Sequence, residues 1–470
     1  MAIRRWIAAA DQRLQDRMAA VPHGLDLAMH GLGRAADKGV LWIAVSIGLG
    51  VRRDKWTRRA ALRGLAGLAI AGSAAKLVRT AAAPSDHAAS AAAQAASAAA
   101  FATGVALEVP ALALPVGGLA ALVAASRIAT RERSPSEVVA GLALGTAAAL
   151  VTLRWWPRRS REPAAAVRPR REAPASPSGS GLVLIVNSSA GTASASLAES
   201  LGASLPDAEI VLADSDDDLA DLISKAAARA QILGIAGGDG SIRLAAGMAV
   251  DAGLPLLVVP AGTFNHFAAD LGIESPDDAL AALGAGDSVL VDVGTADKET
   301  FLNTASTGVY VDLVRAREQL EPALGKWPAV LIALIRVLCT GKPVELLADG
   351  RRRRVWLLFA GNCRYEPLGA APAFRPDLAD GTFDVRMIDG SQPLARIRLI
   401  VAVLLGTLGR CRVYRTWSAS SLRVASLSGE PVSLCLDGEA METKPEVRLL
   451  KRPRKLLVYR PASAKPADIP

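Results

Sequence analysis

The chain has 470 residues, a net charge of +9 and a hydrophobic fraction of 51%, of which aromatics are only 4% of the chain. That length exceeds one ordinary domain, so two or three are expected, and the basic balance suits nucleic acid or an anionic membrane surface. No long Lys/Arg face is interleaved with aromatic residues, which argues against nucleic acid as a partner.

Residues 1–38 alternate charged side chains with Trp6, Ile7, Leu14 and Met18, the pattern of an amphipathic helix at a membrane surface. Apolar runs follow at 39–51, 61–78, 87–107, 110–125 and 138–153. Most fall short of the ~20 residues that cross a bilayer, and Arg63 and Lys76 interrupt the second. A soluble Ala-rich bundle is the plain alternative. Five consecutive runs rich in Gly, Ala and Ser favour close-packed membrane helices, so 39–156 is expected to be a helical membrane domain. No A-x-A site follows the first run, against a cleaved signal peptide. Basic stretches with tryptophans, Arg52-Arg53-Asp54-Lys55-Trp56 and Arg154-Trp155-Trp156-Pro157-Arg158, place those ends in the cytoplasm. Arg127, Arg131 and Arg133, on a loop that would then face outward, count against it. Residues 157–181, rich in Pro, Ser and Arg, read as a linker. Its arginines either lie on anionic headgroups or stay solvated.

From Leu182 the texture is soluble α/β. The run Leu182-Val183-Leu184-Ile185-Val186 predicts a buried parallel strand ending on the small, polar turn Asn187-Ser188-Ser189-Ala190-Gly191. Strands are expected at 210–212, 232–236 and 254–259, with a helix over 214–229. The third strand breaks on Gly237-Gly238-Asp239-Gly240-Ser241 and the fourth on Pro260-Ala261-Gly262-Thr263. A strand that turns on glycines into a helix leaves backbone N–H groups and the positive helix end free for phosphate. A single turn of this kind is as well read as a tight βα connection. Three at the carboxyl ends of strands converge where ligands of open α/β sheets bind. After about residue 289 short alternating strands dominate, including 301–312, with helices at 327–340 and 393–408. They predict an antiparallel sandwich, with a cleft between it and the first lobe. The four cysteines, Cys339, Cys363, Cys411 and Cys435, lack metal spacing and read as reduced, buried thiols of a cytosolic domain.

Six motifs in fixed order now carry a resemblance. They are Asn187-Ser188-Ser189-Ala190-Gly191, Gly237-Gly238-Asp239-Gly240-Ser241, Pro260-Ala261-Gly262-Thr263-Phe264-Asn265, Gly361-Asn362, Asp377-Leu378-Ala379-Asp380-Gly381 and Leu436-Asp437-Gly438-Glu439. Together they resemble the diacylglycerol kinase catalytic family of lipid kinases, which shares its fold with NAD kinases, over roughly 182–461. Ser188 departs from the usual proline, and His266 from the aspartate that commonly follows the Asn. The resemblance implies a nucleotide-binding α/β lobe at 182–290, a β-sandwich lobe at 291–461 and a tail at 462–470. It implies ATP bound by Asn187, Ser188, Ser189, Ala190, Gly191, Gly237, Gly238, Asp239, Gly240, Ser241, Gly262, Thr263 and Asn265, and transfer of its phosphate to a lipid hydroxyl. Glu439 would be the base and Asp437 its partner, the two facing the same way if Leu436 to Ala440 is extended. Asp239 would engage magnesium or the phosphates, and a structural magnesium would bind the Asp380 side chain and the Asp377 and Thr382 backbone.

The helical region resembles the type-2 phosphatidic acid phosphatase family. Pro84-Ser85-Asp86-His87 resembles its Pro-Ser-Gly-His motif. Ser126-Arg127 with Pro135-Ser136-Glu137 resembles its Ser-Arg-x5-His-x3-Asp motif, which puts Arg133 at the nucleophilic His and Glu137 at the orienting Asp. Such a site, His87, Arg127, Arg133 and Glu137, is degenerate, because a guanidinium cannot be the nucleophile. The expected protein is a multi-pass membrane enzyme with a cytoplasmic kinase domain that phosphorylates diacylglycerol to phosphatidic acid in phospholipid biosynthesis. A kinase of a sphingoid lipid or glycolipid, a bifunctional kinase and phosphatase, an NAD-kinase-like enzyme and a silent lipid-binding scaffold are the alternatives. The sequence leaves the oligomeric state open, a homodimer included.

Overall fold

The computed structural model describes residues 11–13, 31, 35–36, 39–51, 54–81, 88–129, 134–158, 163–187, 194–214, 217–262, 265–367 and 374–462. The chain divides into two compact units, Met1–Arg158 and Arg159–Pro470. Most of the expected amphipathic segment at 1–38 lies outside the described residues.

The first unit is helical: α1 (Val40–Val51), α2 (Lys55–Ala81), α3 (Ala88–Glu108), α4 (Ala113–Ala129) and α5 (Pro135–Val151). The helices overrun the apolar runs at several ends, because Lys and Arg flanks such as 55–59 carry helix nearly as well as alanine does and a capping box at Ser134 starts α5 early. Among the described residues three stretches, Lys55–Leu77, Pro110–Ala129 and Pro135–Arg154, are long and apolar enough to cross a membrane. Glycines let the backbones close: a Cβ on Gly104 would lie 2.9 Å from the Gly64 Cα, and one on Gly145 would strike the Ala96 carbonyl. Arg63, the interruption in the second run, is fully buried and ion-paired. Its Nε donates to Glu108 Oε1 at 2.6 Å, and Arg59 Nε donates to the other oxygen at 2.8 Å. Arg63 also donates to Thr152 Oγ1 at 3.0 Å and to the Trp156 carbonyl. Glu108 thus ties the end of α3 to the start of α2, and Arg63 carries the tie on to the residues after α5.

The second unit opens with β1 (Leu182–Asn187), α6 (Ser194–Ser204), β2 (Glu209–Ala213), α7 (Leu219–Ala227), β3 (Ile232–Gly237), α8 (Asp239–Ala252), β4 (Leu256–Pro260), α9 (His266–Leu271) and α10 (Pro276–Ala285). Strands β2-β1-β3-β4 are parallel neighbours, with Leu182 opposite Ile232 and Leu233 opposite Leu256. The continuous apolar runs of β1, β3 and β4 are buried on both faces, as inner parallel strands require, while β2 at the edge is partly exposed.

The antiparallel part holds β5 (Ser288–Ala296), β6 (Glu299–Phe301), β7 (Thr304–Gly308), α11 (Val309–Leu324), α12 (Lys326–Thr340), β8 (Val344–Ala348), β9 (Arg351–Asn362), β10 (Phe383–Asp389), α13 (Ala395–Leu404), β11 (Tyr414–Ala419), β12 (Ser421–Ser426), β13 (Ser433–Leu436), β14 (Glu439–Glu442) and β15 (Glu446–Tyr459). It encloses its own core around Phe301, Val355, Phe383, Leu422 and Val447. The expected sandwich is not a separate pair of sheets. The strands run in one hydrogen-bonded order, β14-β13-β7-β9-β8-β12-β15-β4-β3-β1-β2, and β15 joins the parallel part through Val458 opposite Leu256.

Three further expectations are corrected. The strand read across 301–312 stops at Gly308, where φ is +90°; α11 then buries Val311 and Val314 against Cys435. Spacing of three along a helix outweighs the local β preference of Val309, Tyr310 and Val311. The linker is no free connector: Ala165 N–H donates to Pro376 O at 2.7 Å and Leu290 N–H to Val167 O at 2.7 Å. Ala164 and Ala173 enter the core of this unit, where small side chains fit and prolines keep the strand extended. Of the cysteines, Cys363 and Cys435 are buried but Cys339 is exposed and Cys411 half-buried.

Glu108→Ala strands two arginines, one of them fully buried, and should destabilise the helical unit by ~3–5 kcal/mol. Replacing Arg63 and Glu108 together by methionine should recover most of that loss. Unfolding midpoints of the detergent-purified proteins check both.

Candidate functional site

The glycine-rich turns after β3 and β4 lie against each other. A Cβ on Gly262 would run into the Gly238 Cα, and Gly238 Cβ would reach Gly262 Cα at 3.6 Å. Asp239 begins α8, yet its carboxylate caps α9: its oxygens accept the N–H groups of His266 at 3.1 Å and Phe267 at 3.2 Å. Asn265, at φ +48°, closes its own turn through Gly262, accepting from its N–H at 3.0 Å and donating to its carbonyl at 2.8 Å. From the first strand, Asn187 Nδ2 donates to Ser241 Oγ at 2.8 Å. The structure therefore brings Asn187, Gly237, Gly238, Asp239, Gly240, Ser241, Gly262 and Asn265 together. Ser188, Ser189, Ala190, Gly191 and Thr263 lie outside the described residues.

Asp437 and Glu439 do not share a face. Leu436 pairs with Glu439 across a two-residue turn in which Asp437 (φ +50°) and Gly438 (φ +95°) are both left-handed. Asp-Gly is the natural occupant of such a hairpin turn, which is why the extended geometry expected here fails. Asp437 turns inward and accepts the N–H groups of Leu302, Asn303 and Thr304 at 2.7, 2.8 and 2.7 Å. Burial pushes its carboxyl up to about 6, against the pull of those amides. Glu439 turns to the glycine turn instead: its Oε1 occupies the place a Gly240 Cβ would take. Its Oε2 accepts from Arg243 Nη2 at 2.7 Å. Arg243 also lies 3.5 Å from Glu299. The partner of Glu439 is thus a cation on α8 rather than Asp437, and spacing in the sequence holds no sign of a pair 196 residues apart.

Of these groups, Asp239, Asp437 and Glu439 line a cavity of about 1000 Å³, together with His266. Its remaining wall includes Leu334 of α12, Leu357 and Phe359 of β9, and Leu399, Ile400 and Val403 of α13. The carboxylates of the site therefore share one hollow with a broad apolar wall, to which Arg317, Glu321 and Arg386 add charge.

Two family models match the chain: the diacylglycerol kinase catalytic domain over residues 181–296 and the PAP2 superfamily over 52–161. The "Probable lipid kinase YegS-like" of Pseudomonas putida is 30% identical over 238 residues, covering 48% of this chain and 76% of the relative. The chain belongs to the diacylglycerol kinase catalytic family. The "Diacylglycerol kinase" of Bacillus subtilis is 29% identical over 218 residues, 43% of this chain and 69% of the relative. The "Lipid kinase YegS" of Escherichia coli K12 matches at 33% over 108 residues, 22% of this chain and 36% of the relative. The crystal structure of a diacylglycerol kinase from Bacillus anthracis is 18% identical with a TM-score of 0.43, covering 60% of this chain and 98% of that one. The second unit is a lipid kinase domain, and membership implies ATP as its phosphate donor. The touching glycine turns and the fourteen-residue helix α8 fit that donor, since bulk at either turn would close the approach to the amides.

The family's structural magnesium meets a more crowded place. Asp380 accepts the N–H groups of Arg364 at 2.7 Å and Thr382 at 2.9 Å, while Asp377 accepts that of Ala379 at 2.7 Å. Burial raises the Asp377 carboxyl above its ordinary value. A partly exposed carboxylate and two carbonyls are the hard oxygens magnesium takes, so Asp377, Asp380 and Thr382 are of the right chemistry for the ion, although the Thr382 carbonyl already accepts the Cys363 N–H at 3.1 Å. Deeper, ligand atoms of Asp292, Cys363 and Asp380 lie within 4.8 Å of one another. The ammonium of Lys451 already fills that cluster, 3.1 Å from Asp292 and 3.0 Å from Cys363 Sγ. Burial pushes the thiol up to about 12 even so.

In the helical unit, His87 and Arg133 lie outside the described residues. Arg127 is buried in α4. Glu137 serves the start of α5: Ser134 accepts its N–H at 3.4 Å and donates its own N–H to the carboxylate at 3.3 Å, a capping box.

Gly238→Val adds branched bulk between the two turns at a φ of −88° that valine tolerates. ATP affinity by calorimetry should be lost while the circular dichroism spectrum stays. Asp437→Asn must turn its NH2 toward one of three amide donors and should lower the urea midpoint at every pH. The folded carboxyl titrates at about 6 and the unfolded one at ~3.9, so its protonation favours the fold. That contribution is complete below pH ~4 and lost as pH rises through about 6. The wild-type midpoint should fall relative to that of the variant across this window.

Proposed function

We propose that the chain is a membrane-anchored kinase that transfers the ATP γ-phosphate to the hydroxyl of a diacylglycerol, giving phosphatidic acid. The observation that carries this reading is the cavity: Asp239, Asp437 and Glu439 share its lining with a broad apolar wall of Leu334, Leu357, Phe359, Leu399, Ile400 and Val403. A polar or dinucleotide acceptor would leave that apolar wall unused. Acyl chains use it.

ATP supplies the phosphoryl group and magnesium the neutralisation of its charge. The amides at Gly238, Gly240 and Ser241 hold the phosphates, with Asn187 and Asn265 fixing the turns around them. Glu439 receives the proton of the acceptor hydroxyl on Oε1, the oxygen facing the cradle, while Arg243 holds Oε2 and sets the angle. Asp437 acts on the reaction only through the position of Glu439. Asp239 joins the two turns, and Asp377, Asp380 and Thr382 steady the loop before β10.

The helical unit serves as the anchor. Three apolar stretches of bilayer length and the PAP2 match support this. The basic, tryptophan-bearing end clasped by Arg59, Arg63 and Glu108 supports a cytoplasmic kinase. We read the phosphatase chemistry as lost, since Arg133 replaces the nucleophile and Glu137 is engaged at a helix cap.

The test uses membranes washed with alkaline carbonate, incubated with labelled ATP and a total lipid extract. Label should enter phosphatidic acid in the membrane fraction. Glu439→Gln should cut that rate ~10²-fold or more with ATP binding retained. Label in another lipid would reassign the substrate; activity in the wash would remove the anchor; a variant within a few-fold of wild type would remove Glu439 as the base.

A further inference from the structure

The kinase unit leaves more apolar surface in solvent than its cavity uses. Helix α12 exposes Leu331 (58%), Ile332 and Ile335 (53%), and α13 exposes Ile397 (56%) and Val401 (46%). These are consecutive ridge positions, not scattered single residues, and a soluble domain seldom leaves such ridges bare. The same two helices form the apolar wall of the cavity through Leu334, Leu399, Ile400 and Val403. Inner wall and outer ridge are therefore two faces of one pair of helices. Arg396 fixes the pair: it donates to the carbonyls of Cys339 at 2.9 Å and Gly341 at 2.8 Å, and its guanidinium lies 4.8 Å from the Trp356 ring centre.

Beside α12 lies a second, polar hollow of about 520 Å³ lined by Arg315, Arg336 and Lys342, with Asp312 as its acid. Arg315 is 3.3 Å from Glu442, whereas Arg336 and Lys342 are exposed and form no ion pair among the described residues. Arg398 adds a further exposed cation on α13. An apolar ridge with cations at its border is complementary to one kind of surface, a bilayer carrying anionic lipid, where apolar side chains enter the acyl boundary and cations meet phosphates.

We propose that α12 and α13 form a membrane-docking face of the kinase unit, seated on anionic bilayer so that the cavity opens directly into the lipid. This rests on the lipid-kinase reading and adds to it. Docking spares the acceptor from leaving the bilayer: its acyl chains pass between the two helices while its hydroxyl reaches Glu439. The cations Arg336 and Lys342 take a lipid phosphate at the rim, separate from the phosphates held at the glycine turns.

The test uses the full chain reconstituted in vesicles and two acceptors, a long-chain diacylglycerol in the same bilayer and a water-soluble short-chain diacylglycerol. Ile335→Glu combined with Ile397→Glu lies outside the cavity wall. It should lower phosphorylation of the long-chain acceptor about 10-fold or more and leave the short-chain acceptor within about twofold of wild type. Arg336→Gln with Lys342→Gln should abolish the rate gained when phosphatidylglycerol is added to phosphatidylcholine vesicles. Unchanged long-chain activity in the apolar double variant would overturn the proposal. Equal loss on both acceptors would overturn it too, and if a wild-type dimer in light scattering became a monomer in the variant, a second copy would be the occupant. A wild-type protein that phosphorylates neither acceptor would overturn the lipid-kinase reading itself, a result distinct from the others.

Discussion

A buried carboxylate on a two-residue turn sets the geometry of the site. Asp437 holds three successive amides at 302–304, and its neighbour Glu439 is aimed by that anchorage. The amides belong to the bend between β6 and β7, where Asn303 Oδ1 also accepts from Arg375 at 2.9 Å. Arg375 in turn pairs with Asp270 of α9 at 2.7 Å, and α9 is capped by Asp239 at the head of α8. From α8, Arg243 returns to Glu439. The contacts close a circuit through both lobes of the kinase unit, and every polar member of the site is held by another member.

The links in that circuit differ in weight. Arg375 is fully buried and Asp270 partly exposed, so removing Asp270 leaves an uncompensated charge inside, at a cost of several kcal/mol. Glu439 is more than half exposed, at 56%. Its pair with Arg243 adds ~1 kcal/mol or less to stability and matters for direction. This division suits the base proposed at Glu439: the support is rigid, while the carboxylate stays open to the cavity.

Much of the first lobe was legible because buried parallel strands are written as unbroken apolar runs, and β1, β3 and β4 are such runs. The glycine turns were legible for the same local reason. The misreadings share the opposite cause. Asp437 and Glu439 look paired at a spacing of two only if the chain is extended, and the left-handed Asp-Gly step cancels that. Tyr310 and Val311 look like strand until the burial of Val311 and Val314 shows a helical face. Arg243, Arg375 and Lys451 carry no local mark, since their partners lie far along the chain. The residues at 163–181 looked like solvent-facing linker because composition reports no backbone hydrogen bonds, and those bonds bind them to the fold.

The fourteen residues of β15 have a mechanical consequence. This strand pairs with β5 along most of its length, with β12 at one end and with β4 at the other. A continuous beam through two lobes resists the hinge rotation by which many two-lobed kinases swallow their substrates. Its register shifts only between Arg452 and Leu456, and there Arg454 N–H is fastened to Asp292 at 2.8 Å. With the frame braced, admission of substrate falls to local rearrangement of side chains and helices at the cavity mouth. If the proposed docking face holds, turnover would be paced by the passage of the acceptor past α12 and α13 rather than by the swing of a lobe.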